Sequence, residues 1–146
     1  MAVERTSGMR RSRLTTGVRQ PVIARATYLV AWLLAVSAFA QPALAGLFLD
    51  GNDAWRDWHA INGMVLLPLL ALLQVVLAVL VWRRGGPGWL SLAGAGLLLL
   101  IVVQSVMGQA GLLAVHVPLG VAIVGLVGVL LGRTRDLTRP STDPRR

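Results

Sequence analysis

The chain has 146 residues, of which 55% are hydrophobic and 14% charged, and its mean hydropathy is +0.70. Soluble domains carry about 25% charged residues, so this composition excludes a disordered chain and argues against a soluble globular domain. The lack of cysteine excludes a disulfide scaffold, a thiolate metal site and a cysteine nucleophile.

Four apolar stretches are long enough to cross a bilayer, which takes about 20 helical residues. Backbone groups inside a bilayer must be hydrogen-bonded within their own segment, so these stretches are predicted to be helices. Short links, such as the glycine-rich 85–88, make consecutive helices antiparallel. The predicted fold is all-α: a polytopic membrane protein built as an up-down bundle of four transmembrane helices. Its spans one to four cover about residues 26–48, 58–82, 90–107 and 112–131.

Arginine is distributed unequally between the two ends of the spans. The formal net charge of +8 includes 14 basic residues, and all of them except Arg56 lie in the tails 1–25 and 133–146 or at the link 83–88. Because arginine and lysine mark the cytoplasmic side, both termini are predicted to be cytoplasmic, in a bacterial-type inner membrane. The basicity therefore indicates topology, and no nucleic-acid partner is expected. The Arg-rich tails are expected to be poorly ordered and to contact anionic lipid heads.

Span one has a second interpretation. A basic leader, an apolar stretch and Ala43-Leu44-Ala45 before Gly46 resemble a signal peptide with its cleavage site. The apolar stretch is longer than the usual 7–15 residues of a signal peptide, which favours a span that stays attached. Cleavage would leave three helices and disrupt the bundle.

The only two histidines, His59 and His116, stand near the starts of spans two and four. Both spans run from outside to inside, so both imidazoles are predicted to lie at similar depth in the outer part of the membrane. In an up-down bundle these two helices are diagonal, with axes about 13 Å apart. Two imidazoles and one iron atom fill a gap of that size.

The sequence around the histidines repeats as His-x-x-x-Gly, with Gly63 and Gly120 one turn below each histidine on the same face. Glycine there would let a porphyrin approach the helix backbone. The alternative is a purely structural role, in which the histidines anchor neighbouring helices and the glycines allow close helix packing. Zinc is less favoured because two histidines leave its usual four-ligand shell incomplete.

Further polar residues belong to the same outer half of the spans. They are expected either to orient the imidazoles or to join neighbouring helices by hydrogen bonds. Arg56 is placed where haem propionates would emerge, although it can equally pair with Asp53 or Asp57. The polar residues in question are Gln41, Asn62, Gln104, Ser105 and Gln109.

A four-helix unit with one histidine early in helix two and one early in helix four resembles one half of haem A synthase. The stretch 104–108 (Gln-Ser-Val-Met-Gly) followed by His116 is similar to the third and fourth helices of that family. More broadly, residues 26–132 resemble small bacterial membrane proteins of the four-helix cytochrome b type. The resemblance implies one b-type haem between His59 and His116, near the outer face.

The chain departs from haem A synthase in three respects. It has one half instead of two, it lacks the external cysteine pair of some members, and it has Arg56 where the family motif has a glutamate. Oxidation of haem O is therefore not expected.

Three functional hypotheses remain open at this stage. The first is a haem b membrane protein for electron transfer or haem handling, since two imidazoles fill both axial positions of the iron. The second is a cofactor-free scaffold subunit of a membrane complex, and the third is an enzyme related to haem A synthase. The spans contain no acid–base pair or nucleophile, so a non-enzyme is favoured and no catalytic residue is assigned. The expected partners are the lipid bilayer and either a membrane redox partner or further copies of the chain.

Overall fold

A computed structural model describes residues 20–139, and this part of the chain is helical without any strand. Helix α1 is followed by a short helix α2, which continues through a π-helical turn into α3; helices α4 and α5 complete the fold. Their bounds are Gln20–Leu49 for α1, Ala54–Ile61 for α2, Asn62–Leu66 for the π-helical turn, Leu67–Arg83 for α3, Trp89–Gln109 for α4 and Leu113–Asp136 for α5.

The described residues form four helices that are long and apolar enough to cross a membrane: α1, the continuous 30-residue helix from α2 to α3, α4 and α5. The helix α2–α3 packs against α1 and α4, and α5 packs against the same two helices. The predicted all-α four-helix bundle is confirmed, with α2–α3 and α5 on one diagonal.

The helices extend beyond the predicted apolar spans. The second membrane helix begins at Ala54 instead of residue 58, and α5 continues to Asp136 instead of residue 131. Helical hydrogen bonding does not stop at the edge of the apolar slab, and arginine is a good helix former. The parts of the tails at 20–25 and 133–136 are therefore helical, whereas 1–19 and 140–146 lie outside the described residues.

Small side chains form much of the contact between α1 and α3. Ala35 and Ala38 on α1 and Ala71 and Ala78 on α3 are all buried in one core cluster. Helices in lipid gain no hydrophobic driving force from each other, and small residues let their backbones approach closely. Many large apolar side chains point outward, as at Leu92, which is 77% exposed.

The π-helical turn has a local cause and a tertiary partner. Pro68 has no backbone N–H, so a carbonyl in the preceding turn is left without its helical donor. Within that turn the Leu67 N–H donates to Asn62 O, five residues earlier. The Gly63 carbonyl accepts instead from Ser105 Oγ of α4, at 3.0 Å. The irregular turn thus joins α2–α3 to its neighbour at the level of the histidines.

A candidate metal centre between two histidines

The bundle brings the two histidines together across its diagonal. His59 lies on α2 and His116 lies in the first turn of α5. The centroids of their rings are 6.3 Å apart, and the ring planes are inclined by 66°. Helices α2–α3 and α5 do not pack directly on each other within the described residues. The two imidazoles therefore meet between two helices that are not in direct contact with each other.

His116 is held by a reciprocal pair of hydrogen bonds with Gln104 of α4. Its Nδ1 lies 2.9 Å from the main-chain oxygen of Gln104. In return, Gln104 Nε2 donates to the main-chain oxygen of His116 at 2.7 Å. Because a carbonyl oxygen can only accept, the proton of the neutral ring is on Nδ1.

His59 is held in the same way by Gln41 of α1. Its Nδ1 lies 3.1 Å from the main-chain oxygen of Gln41. The Gln41 amide satisfies its neighbours when Nε2 donates to His59 O at 3.2 Å and Oε1 accepts from the Gly63 N–H at 3.0 Å. This Nε2 also lies 3.0 Å from His59 Nδ1. Nδ1 can bond only one of these two neighbours: a protonated Nδ1 donates to the carbonyl, whereas an unprotonated Nδ1 accepts from the amide. The Nδ1–H form is the one that matches the bonding of His116.

Each of these arrangements, called here a glutamine–histidine clamp, consists of one glutamine and one histidine that bond each other's main chain. Both clamps use Nδ1 and leave Nε2 of the ring without a hydrogen-bond partner among the described residues. A neutral imidazole with Nδ1–H bound to a carbonyl presents the Nε2 lone pair, which is the form that binds a metal ion. The two clamps thus prepare two ligands of one kind.

The glycines next to the histidines have identifiable neighbours. A Cβ at Gly63 would collide with the Gln41 amide, and one at Gly120 would lie 2.8 Å from Gln104 Nε2. These glycines therefore make room for the clamp glutamines, and contact with a flat ring stays a prediction.

Gly108 on α4 makes room for the His116 ring, a role that the sequence had not revealed. A Cβ there would lie 2.7 Å from Cε1 and 2.8 Å from Nδ1 of the His116 ring. Real Cβ atoms essentially never approach other atoms so closely, so this glycine gives the imidazole its space. The sequence contained one signal of this role, since Gly108 follows Gln104 by four residues, or about one helical turn.

Arg56 lies near the histidine pair without touching it. Its guanidinium carbon is 5.8 Å from the centroid of the Phe48 ring, and Phe48 contacts His59 edge-on with centroids 5.5 Å apart. Arg56 also pairs with Asp53 at 3.3 Å, in the alternative arrangement that the sequence had left open. Both partners of this ion pair are exposed, so the guanidinium remains accessible to a second anion.

The remaining polar residues at the histidine end of the bundle have different partners. Asn62 and Ser37 bond each other twice, from Ser37 Oγ to Asn62 Oδ1 at 2.6 Å and from Asn62 Nδ2 to Ser37 O at 2.9 Å. Gln109 donates to Ser105 O at 3.2 Å, within α4. Asn62 thus joins helices, which is the alternative role predicted for the polar residues, whereas the two clamp glutamines also bond the histidines.

The donor set at this centre is limited to two imidazoles. The residues from 20 to 139 contain no group of three or more His, Cys, Asp or Glu side chains that could hold a metal ion. A bare zinc ion, which takes four ligands, would thus lack half of its shell. An iron porphyrin brings four nitrogen ligands of its own and takes at most two from the protein, a number that the two imidazoles can supply.

No family model, curated protein or solved structure matches this chain. The resemblance to haem A synthase and to four-helix cytochromes b stays an expectation, and the site has to be argued from its own geometry.

Proposed function

We propose that this integral membrane protein binds one b-type haem between His59 and His116 and serves electron transfer or haem handling. The observation that carries the proposal is the pair of imidazoles whose centroids lie 6.3 Å apart, each held with Nδ1 on a carbonyl and Nε2 free. A metal–imidazole bond is about 2 Å long, so two rings on opposite sides of one metal have centroids about 6 Å apart.

The chain's own residues would act on the bound group in three ways. Nε2 of His59 and Nε2 of His116 would hold its iron, and the carbonyls on Nδ1 would raise the basicity of both rings. Arg56 at the outer end is suited to a propionate carboxylate. Haem iron held by two imidazoles would supply one-electron redox chemistry, which favours electron transfer over ligand chemistry.

Absorption spectroscopy on the purified protein tests the proposal. After expression with ample haem, the wild type is expected to show a Soret band and, when reduced, sharp α and β bands. His59→Ala and His116→Ala should each abolish the six-coordinate spectrum, because neither histidine has a substitute. A wild-type protein without Soret absorption would refute haem binding and favour the scaffold hypothesis. Haem that survives both substitutions would refute the ligand assignment.

A search for oxidised haem products addresses the enzyme hypothesis. We expect haem extracted from the loaded protein to be unmodified haem b, because the position of the family's glutamate is Arg56 in this chain. A hydroxylated or formylated porphyrin in the extract would contradict the assignment as a non-enzyme.

A further inference from the structure

We propose that Gln41 and Gln104 are paired positioning residues that fix the tautomer and orientation of both histidines before any metal centre binds. This inference rests on the proposed function for its purpose, although the state of the imidazoles can be measured without haem. Neither glutamine is itself a ligand; each acts through the histidine that it holds.

The first argument is that the same reciprocal bonding occurs twice. Gln41 bonds His59 between α1 and α2, and Gln104 bonds His116 between α4 and α5. Each clamp contains a histidine Nδ1 on a glutamine carbonyl and a glutamine Nε2 on a histidine carbonyl. Ordinary helix-joining hydrogen bonds do not require this pairing, since Ser37 and Asn62 join α1 to the π-helical turn without any contact to a ring.

The second argument comes from the glycines that accompany each clamp. Gly63 and Gly120, each four residues after a histidine, leave the space that the glutamine amide occupies. In each half of the chain, the glutamine, the histidine and the glycine therefore pack together as one group. Removing the amide would remove the group that this space accommodates.

The two clamps differ in strength, because only the first offers its glutamine side-chain oxygen a main-chain N–H to bond. In the first clamp, Gln41 Oε1 accepts from the Gly63 N–H beside the π-helical turn, so all of its amide is used. In the second, Gln104 Oε1 is buried without a hydrogen-bond partner. We therefore expect His59 to be the more firmly held ligand and His116 the one that is lost first.

The experiment compares Gln41→Met, Gln104→Met and a control, Gln109→Met. Methionine has a similar length and no amide, and the Gln109 amide donates to Ser105 O of its own helix, α4. Nitrogen-15 NMR of the histidines in haem-free protein in detergent reports the tautomer of each ring. In the wild type and the control, both rings should be Nδ1–H tautomers. Each clamp variant keeps the main-chain oxygen on Nδ1 but loses the amide that holds the main chain of the histidine. The ring of that clamp alone can then move away from the oxygen and should gain Nε2–H population.

The haem-loaded proteins provide a second measurement, the midpoint potential. Loss of the amide leaves the main chain of the histidine less firmly held and so weakens the Nδ1–H···O bond to the main-chain oxygen that remains. A weaker bond lowers the basicity of the imidazole and destabilises ferric iron, so the potential should become more positive in both clamp variants. The Soret band should persist, because both ligands remain. Partial loss of six-coordination should occur earlier on warming for Gln104→Met than for the wild type.

The two proposals fail in distinguishable ways. If the wild type binds haem while the tautomers and potentials of both clamp variants match those of the wild type, the positioning role is refuted and the haem site stands. If Gln109→Met shifts the histidine signals as much as Gln104→Met does, the effect is general helix packing and the positioning role is again refuted. Single Nδ1–H tautomers that depend on the clamps, in a protein without haem affinity, would support the positioning role and refute the proposed function.

Discussion

At the scale of single residues, the glycine that matters most to a histidine is on the neighbouring helix. The His116 ring lies against Gly108 of α4, whereas the glycine one turn below it in its own helix faces a glutamine. A side chain on α5 is aimed at the adjacent helix, so its steric limits are set by that helix. Sequence spacing within one helix does not reveal such limits.

Gly108→Ala is predicted to weaken six-coordinate haem binding. The added methyl group would lie within 3 Å of the His116 ring, and overpacking of this kind costs about 1–3 kcal/mol, or roughly ten- to a hundredfold in affinity. The matched control is Gly125→Ala on α5, where a Cβ would have no atom within 4 Å. Titration of haem-depleted protein measures the affinity. Equal affinities for the two variants would contradict the assigned role of Gly108.

Arg56 offers a test of the propionate contact. Arg56→Gln is predicted to lower haem affinity by about tenfold or more, because a charge-assisted hydrogen bond contributes about 1.5–3 kcal/mol. The comparison variant is Asp53→Asn, which breaks the same exposed ion pair at 3.3 Å and leaves the guanidinium in place. If Asp53→Asn reduces haem affinity as much as Arg56→Gln does, the arginine acts only through its ion pair.

At the scale of elements, the π-helical turn sets the angular position of α2 relative to α3. Asn62–Leu66 contains a five-residue hydrogen-bonded repeat instead of the four-residue repeat of an α-helix. Each residue of an α-helix turns by about 100°, so one residue more or less rotates everything beyond it. The turn therefore decides which face of α2, with His59 on it, points to the bundle interior.

Pro68→Ala is predicted to abolish haem binding while leaving a membrane-inserted four-helix protein. A backbone N–H at residue 68 would favour continuous α-helix over the same number of residues, and His59 would then rotate by the turn of one residue, about 100°, away from His116. The Soret band and the circular dichroism spectrum measure the two outcomes. Met64→Ala, which keeps Pro68, is the control and should retain haem. Full haem binding by Pro68→Ala would show that the turn does not set the angle.

At the scale of the whole molecule, the orientation is predicted from charge and the retention of α1 is predicted from its contacts. Helix α1 packs against both helices of the histidine diagonal and supplies Gln41 and Ser37. We therefore expect the functional protein to keep α1, and intact-mass measurement of membrane-extracted protein should find it. A mature chain that begins at Gly46 would contradict this expectation.

A topology reporter tests the predicted orientation. Fusion after Arg146 should be active on the cytoplasmic side, because all arginines except Arg56 lie in the tails or at the link 83–88. A reporter inserted in the link 50–53 should be active on the opposite side. The reverse pattern would move the histidines to the inner half of the membrane.

The sequence determined the class of the fold because that class depends on averages along the chain. Apolar length predicts spans, and the shortness of the links predicts the order of the helices. The two histidines stood out in the same way, since an ionisable residue inside a span is rare and costly. The sequence also placed them on diagonal helices, because the second and fourth helices of an up-down bundle lie on one diagonal.

Only the tertiary structure decided how the site is built. The partners of each imidazole are a glutamine main chain and side chain on another helix, and the residue that gives one ring its space is Gly108. The sequence had counted the glutamines among several equivalent polar residues and had assigned the space to Gly63 and Gly120. Contacts of this kind depend on the rotation of one helix against its neighbour. That rotation is set by packing and by the π-helical turn, which no periodicity within a single apolar span records.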